Sequence, residues 1–364
     1  MKKNAKKIKI LYTIPNFDTA GSGKVLYDLA NGLNKEKFEV EIACNNERGA
    51  FFNEVKKLGL PIHIIEITKP FRPYYNLIFR IKPFKDFIRK NKFDIVHSWH
   101  WSSDWTEVLA ARLGGAKFIY TKKAMTWGNI HWKIRSYLSN FIITINEEMS
   151  NYFPNKKAQK LIPLGLDTQY YNPGLFPKKE TASVFKIITV ANLVPVKGIE
   201  VLIKAIHQLN NPAVHLEVLG DDRDGYADEL KQLIKDLQLE NQIVFLGKHT
   251  DVRPFLAQAD LYVIPTLNSG RKEGMPMALV EAMTMGIPVL GSDISGINFV
   301  LKDFPELLFE ASNTQELCQK IEGFYATSEN ERQQTGEQLR NYCITHFSFD
   351  TFIKAHQELY NTIA

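Results

Sequence analysis

Short runs of β-branched and aromatic residues alternate along this chain with longer stretches whose apolar residues recur every three or four positions. This alternation constrains the fold more than any other feature. The strand-like runs in the first half are 8–14, 39–44, 62–67, 94–97, 117–121 and 141–145; in the second half they are 186–191, 215–219, 242–246, 261–264 and 287–290. Helical periodicity falls between them, as at 25–33, 105–113, 199–208, 227–237 and 276–285. A strand that is followed by a crossover helix pairs in parallel with its neighbour. The pattern breaks at YYNPGLFPKKETAS, residues 170–183, where Pro, Gly, Lys and Ser replace periodicity. We therefore expect an α/β chain of two Rossmann-like, doubly wound parallel-sheet domains facing a cleft, with ligands beyond the carboxyl ends of the strands. A length of 364 residues suits two such domains.

Several function classes are disfavoured at once. Cys44, Cys318 and Cys343 are far apart and form no CxxC or Cys/His cluster, which argues against a disulfide framework or zinc site and for a reducing compartment. The apolar start is interrupted by Lys9 and stopped by Pro15, so it reads as a first strand and not as a leader. No apolar run is long enough for a transmembrane helix. Residues 1–175 hold 28 Lys and Arg against 15 Asp and Glu, whereas the remainder holds 17 against 25. A basic first half suggests an anionic partner there: a phosphate-bearing substrate, a membrane surface or nucleic acid.

Several segments carry candidate chemistry. In RKEGMPMALVEAMTMGIPVLGSD, residues 271–293, Glu273 and Glu281 stand eight positions apart. Pro276 suits the first turn of a helix and Gly286 the position just past its end. Gly274, Met275, Pro276 and Met277 then mark a helix N-terminus, whose free N–H groups suit a diphosphate. An acid at Glu273 makes sense beside a polyhydroxyl group or a developing cation, and Glu281 within reach of a ribose diol. The plain alternative is an ordinary helix with an N-terminal acid favouring its dipole. Lys197 follows a strand at Asn192–Leu193 and could neutralise a diphosphate, or be a surface lysine. Gly21, Ser22 and Gly23 follow the first strand and open the first helix without completing a Walker pattern. DIVHSWHWSSDW, residues 94–105, brings His97, Trp99, His100 and Trp101 to a strand's carboxyl end. FRPYYNLIFRIKPFKDFIRKNK, residues 71–92, interleaves aromatics with basic residues; it suits an anionic bilayer surface, or an amphipathic helix packed on its own sheet. No nucleic-acid-binding pattern accompanies it, so no nucleic acid partner is expected.

Taken together, these motifs resemble the GT-B glycosyltransferases of family 4, or group 1. EGMPMALVEAMTMGIPVLGSD is similar to the family's E-x7-E signature, ANLVPVKGIEVLIKA to its donor-phosphate loop, and AGSGKVLYDLANGL to its N-terminal glycine loop. LIPLGLDTQYYNP resembles the approach to the interdomain linker, FLGKHTDVRPFLAQADLYVIPT the nucleotide-side strand, loop and strand, and FSFDTFIKAHQELYNTIA a terminal helix returning to the first domain. The resemblance implies an acceptor domain at 1–175, a nucleotide-sugar domain at 176–345 and a returning helix at 346–364. It implies Glu273 at the donor sugar, Glu281 on the ribose, and Lys197, Asn192, Gly247 and residues 274–277 at the donor. His97 or His100 serves from the first domain. Where the family often has Gly-Arg this chain has Ala191–Asn192; Arg271 or Lys272 would have to supply the missing cation.

The expected activity is that of a retaining, metal-independent transferase. It would move sugar from a nucleotide-sugar co-substrate to a glycan or lipid-diphosphate acceptor, on the cytoplasmic face of the plasma membrane. No cofactor is expected, and Asp221–Asp222 reads as a turn. The alternatives are a glycan- or nucleotide-binding protein without catalysis, or a nucleotide-sugar epimerase, on the same fold.

Overall fold

The computed structural model describes residues 6–18, 20–49, 51–177, 184–223, 225–269 and 273–364. In chain order the elements are β1 (Ile8–Ile14), α1 (Ala20–Gly32), β2 (Phe38–Cys44), α2 (Phe52–Lys56), β3 (Ile62–Ile64), α3 (Leu77–Asn91), β4 (Ile95–Ser98), α4 (Thr106–Gly114), β5 (Lys117–Lys122), α5 (Ile130–Leu138), β6 (Phe141–Thr144), α6 (Glu147–Ser150) and β7 (Gln159–Leu161). They continue with β8 (Phe185–Val190), α7 (Ile199–Leu209), β9 (Val214–Leu219), α8 (Gly225–Asp236), β10 (Ile243–Gly247), α9 (Arg253–Leu256), β11 (Leu261–Ile264), α10 (Met277–Thr284), β12 (Val289–Ser292), α11 (Ser295–Val300), β13 (Leu308–Phe309), α12 (Thr314–Ala326), α13 (Glu329–His346) and α14 (Phe349–Ile363).

Two compact units result: Met1–Gly165 with Phe349–Ala364, and Leu166–Ser348. The first sheet has the order β3-β2-β1-β4-β5-β6-β7 and the second β10-β9-β8-β11-β12-β13. Every strand pair in both sheets is parallel. Strand order reverses between β1 and β4 in the first unit and between β8 and β11 in the second, which is where such sheets open a crevice for ligands. The cores follow from the alternation. Leu11, Val96, Phe118 and Ile142 meet Ile81, Phe84 and Ile88 of α3, while Ile187, Leu216 and Val263 meet Leu202, Ile206 and Leu317.

The first unit ends at Gly165, before the expected residue 175. The stretch after it is held by the second unit: Leu166 N–H donates to the Phe347 carbonyl at 2.8 Å, and the Arg253 guanidinium lies 3.4 Å from the Tyr170 ring centroid. Arg340 also donates to the Tyr171 carbonyl at 2.7 Å. The return to the first unit begins at Phe349 and not at residue 346, because α13 runs on to His346 as part of the second. The edge strands β7 and β13 have three and two residues, too short to show a period in the sequence.

A buried polar chain fastens α14 to the first sheet. His97 Nδ1 meets the Tyr360 hydroxyl at 2.7 Å, Nε2 meets Thr121 Oγ1 at 2.7 Å, and the Tyr360 and Tyr12 hydroxyls share a hydrogen bond of 3.1 Å. His356 packs 5.7 Å from His97. Burial holds the pKa of His97 well below its ordinary value, reinforced by His356 and Lys123, and lowers that of His356 to about 4. The unfolded chain therefore binds more protons than the folded one between about pH 6.5 and 4, and stability falls as pH drops through that window. A thermal midpoint that is level above about pH 7 and declines below 6.5 is expected, with a shallower decline in His356→Phe. An unchanged decline in that variant would remove His356 as a cause.

Candidate active site

The second unit gathers its candidate residues at the carboxyl ends of β8 and β11. After β8 the chain makes a single 3-10 turn, Pro195–Lys197, closed by Gly198 at φ 63°. A methyl group on Gly198 would stand 2.2 Å from the Pro265 carbonyl oxygen, so only glycine lets the β8 loop lie against the chain leaving β11. Leu267 N–H donates to the Val196 carbonyl at 2.8 Å and closes the same contact. Lys197 Nζ donates to Glu273 Oε1, with about a fifth of each side chain exposed (22% and 18%). The sequence placed these two residues 76 positions apart; the fold makes them an ion pair.

Glu273 and Gly274 rest on α11. A methyl group on Gly296 would stand 2.6 Å from the Glu273 carbonyl oxygen and 2.9 Å from that of Gly274. Met275 and Pro276 are buried, and α10 begins at Met277 with Pro276 as its cap, not as the first-turn residue expected. The far end of α10 is tied off as the sequence indicated. Gly286 N–H donates to Met283 O at 3.0 Å and Ile287 N–H to Ala282 O at 3.3 Å, with Gly286 at φ 73°. Arg340 adds a cation there, donating to the Thr284 carbonyl.

Glu281 lies in the second turn of α10, half-buried, and takes a hydrogen bond from the Tyr171 hydroxyl. Burial pushes the Tyr171 hydroxyl pKa up, and the Glu281 charge adds to the rise, so it stays a donor. Arg340 fixes that tyrosine through its carbonyl. Asn192 is exposed in the β8 loop, and Gly247 ends β10 at φ 74°. Asp221 and Asp222 are engaged by Arg223 and Lys231. Arg271 and Lys272 lie outside the described residues.

In the first unit the structure separates the two candidate histidines. His97 is fully buried with both ring nitrogens bonded, and packing of α14 makes it part of the core. Trp99 is likewise fully buried. His100 lies in the loop after β4, its side chain 11% exposed, edge-on to Trp101 at 6.0 Å. Burial, with help from Arg135 and Lys123, lowers its pKa to about 3, so the ring is neutral at physiological pH. Gly21, Ser22 and Gly23 lie inside the first turn of α1, opening the helix as expected. A methyl group on Gly21 would meet nothing within 4 Å; on Gly23 it would meet Phe17 at 3.0 Å.

Beneath His100 is a buried ion pair that motif reading missed. Glu107 and Arg135 are 0% exposed. Arg135 donates to Glu107 Oε2 at 2.9 Å, to Ser98 Oγ at 2.8 Å and to the Asp104 carbonyl; Ser98 and Thr13 hydroxyls donate to Glu107. The pair therefore ties the carboxyl ends of β1 and β4 to α4 and α5.

Residues 19–170 match Glycosyltransferase Family 4, and residues 176–342 match Glycosyl transferases group 1, so the two matches succeed each other along nearly the whole chain. The chain belongs to the family-4, group 1 glycosyltransferases. This family-4 chain is 33% identical over 168 residues to an Escherichia coli K12 protein named as a putative colanic acid biosynthesis glycosyltransferase, a match covering 44% of this chain and 40% of that one. Its matched part thus spans about two fifths of that relative. It is 25% identical over 356 residues to an Escherichia coli UDP-Gal:α-D-GlcNAc-diphosphoundecaprenol α-1,3-galactosyltransferase, covering 86% and 87% of the two chains. Among solved structures, Anabaena HepE in complex with UDP and glucose superposes with a TM-score of 0.79 at 19% identity, covering 98% and 100%. The fold of this family-4 chain is therefore GT-B. Two further residues are not legible from the sequence: Tyr171, whose partner is 110 positions away in α10, and Lys123, just past the end of β5. For Lys123 the available signal was position alone, since strand carboxyl ends are where sites form.

Proposed function

We propose that this protein is a retaining glycosyltransferase that moves a sugar from a UDP-sugar to a saccharide carried on a lipid diphosphate or growing glycan, in bacterial surface polysaccharide synthesis. The observation that carries the reading is the Lys197–Glu273 pair at the amino end of α10. Cleaving the anomeric bond of a nucleotide-sugar leaves positive charge on the sugar and negative charge on the departing diphosphate. A carboxylate paired with an ammonium at a helix N-terminus answers both charges. Glu281, oriented by Tyr171, takes the ribose hydroxyls. Asn192, Gly274, Met275, Pro276, Met277 and Gly247 border the donor; in the first unit, His100 offers a neutral hydrogen-bonding ring. This scheme assigns no step to a metal ion, and turnover is expected to survive EDTA. The relative acting on a diphosphoundecaprenol acceptor and the neighbour bound to UDP support the substrate classes.

The acceptor's lipid would bring the protein to the inner face of the plasma membrane. Tyr74, Tyr75, Ile78 and Phe79 are 57%, 85%, 53% and 75% exposed, while Leu77, Ile81, Phe84 and Ile88 face the core. Arg80 braces the preceding turn by donating to the carbonyls of Pro70, Arg72 and Pro73. Among the described residues, no helix is long and apolar enough to cross a membrane. Binding at this surface is read by sedimentation with vesicles containing phosphatidylglycerol, and equal sedimentation of a Tyr75→Ser/Phe79→Ser variant would refute it.

The deciding experiment incubates the protein with UDP-, GDP- and ADP-sugars without acceptor, and measures thermal shift and slow donor hydrolysis. Stabilisation and hydrolysis with UDP-sugar support the transferase; stabilisation without hydrolysis favours a binding protein, and a changed sugar an epimerase. Gly296→Ala pushes against the Glu273 and Gly274 carbonyls and is expected to cut turnover about 10²-fold through displacement of Glu273. Turnover within a factor of two of wild type would show that this contact does not position Glu273.

A further inference from the structure

Among the described residues, the first unit keeps an ammonium whose partners are neutral. Lys123 is half-buried just past the end of β5, and its Nζ donates to Ser22 Oγ at 2.9 Å and to the Trp99 carbonyl at 2.6 Å. Several other lysines meet acids: Lys24 meets Asp28, Lys82 meets Asp86 and Lys197 meets Glu273. The nearby carboxylate of Glu107 is occupied by Arg135. Taking an ammonium out of water without a counter-ion is unfavourable. Here burial alone lowers its pKa, to about 7. The indole rings of Trp99 and Trp101 have their centroids 5.4 and 5.7 Å from Nζ. Trp99 is wholly interior, whereas Trp101 is 36% exposed.

The residue before it shows the contrast. Lys122 is fully buried; it donates to the Thr126 carbonyl at 2.5 Å and sits 3.9 Å from the Trp132 ring centroid. Successive strand residues point to opposite faces. Lys122 is thereby committed to the core, and Lys123 is committed to the carboxyl edge of the sheet beside α1.

We infer that Lys123 and Trp101 form a subsite for a sugar carrying a negative group: the apolar face of the ring lies on the Trp101 indole, and the anion pairs with the Lys123 ammonium that Ser22 and the Trp99 carbonyl hold in place. This deepens the transferase reading and rests on it for the site's role, which is recognition of the acceptor. The anion is a phosphate on the sugar's anomeric carbon or a carboxylate on its ring; the two share charge and hydrogen-bond acceptance. An arriving anion stabilises the protonated amine, so binding strengthens below about pH 7. The other titratable groups of this cluster, His97 and His100, are held neutral by burial at that pH, and Arg135 is paired with Glu107.

The test follows tryptophan fluorescence of the intact protein during titration with glucose 1-phosphate, glucuronate and glucose, at about pH 6 and about pH 8. At the lower pH the anionic sugars are expected to bind about tenfold more tightly than glucose, and at the higher pH the preference shrinks. Lys123→Met should abolish the preference and raise the thermal midpoint, since it removes a charge without a counter-ion; Lys123→Arg should keep the preference at both pH values. Trp101→Ala should weaken all three sugars. A preference for the phosphate alone identifies a phosphate-linked acceptor, and one for glucuronate alone a uronate-bearing acceptor. A wild type without preference, or a Lys123→Met protein that keeps it, overturns the subsite. So does a preference lost in Lys197→Met and retained in Lys123→Met, which would place the anion in the second unit. Donor hydrolysis measured in parallel separates the two readings. Hydrolysis without anion preference refutes the subsite alone, and anion preference without hydrolysis refutes the transferase alone.

Discussion

Glu273→Gln is expected to lower sugar release from the donor by about 10²–10³-fold while nucleotide affinity holds or improves. The substitution keeps the side chain's size and its hydrogen-bonding oxygen and removes only the charge. If Glu273 answers positive charge that develops on the sugar, the loss appears in the transition state and not in the ground state. Binding of the diphosphate should not suffer, because the carboxylate repels it and because Lys197, now without its ionic partner, is released to meet it. The measurements are kcat for donor hydrolysis and Kd for UDP on the same protein. A Kd that rises in step with the loss of turnover would make Glu273 a binding residue. Turnover within tenfold of wild type would remove it from the reacting centre.

Removing the carboxylate of Glu107 should have the largest effect on stability. Glu107→Ala leaves the Arg135 guanidinium, 0% exposed, without its counter-charge. Truncating one member of such a pair costs about 3–5 kcal/mol, most of it from the stranded charge. The hydroxyls of Ser98 and Thr13 lose their acceptor as well. Glu107→Leu combined with Arg135→Met should recover most of that loss, since a buried pair contributes little beyond an apolar pair of similar volume. Denaturant midpoints of the single and double variants test this. A double variant no more stable than Glu107→Ala would mean that the pair supplies specific order to the β1, β4, α4 and α5 junction. A single variant within about 1 kcal/mol of wild type would mean that water or a rearranged side chain reaches Arg135.

Much of this architecture is written in local chemistry. The strand runs at 8–14 and 261–264 are observed with those limits because each is an apolar stretch bounded by turn residues. The end of α10 is equally local: Gly286 adopts a left-handed conformation, and the helix closes on it. The motif order along 19–342 carries the family because each motif is contiguous. Glu273, Lys197 and Glu281 stand out as candidates for the same reason, as neighbours of a helix start or a strand end.

What stayed hidden depends on partners far away in the chain. His97 and His100 are three residues apart and equally plausible as letters; only α14 distinguishes them, by presenting Tyr360 to His97 across 263 positions. Lys122 and Lys123 read as an ordinary basic pair, and nothing local says that one will lie over Trp132 and the other between Ser22 and the Trp99 carbonyl. Local periodicity specifies which face of an element is apolar, because that depends on a residue's neighbours in sequence. Which polar group ends up without water or a counter-ion is a property of packing, and it is set only when elements distant in the chain close over it.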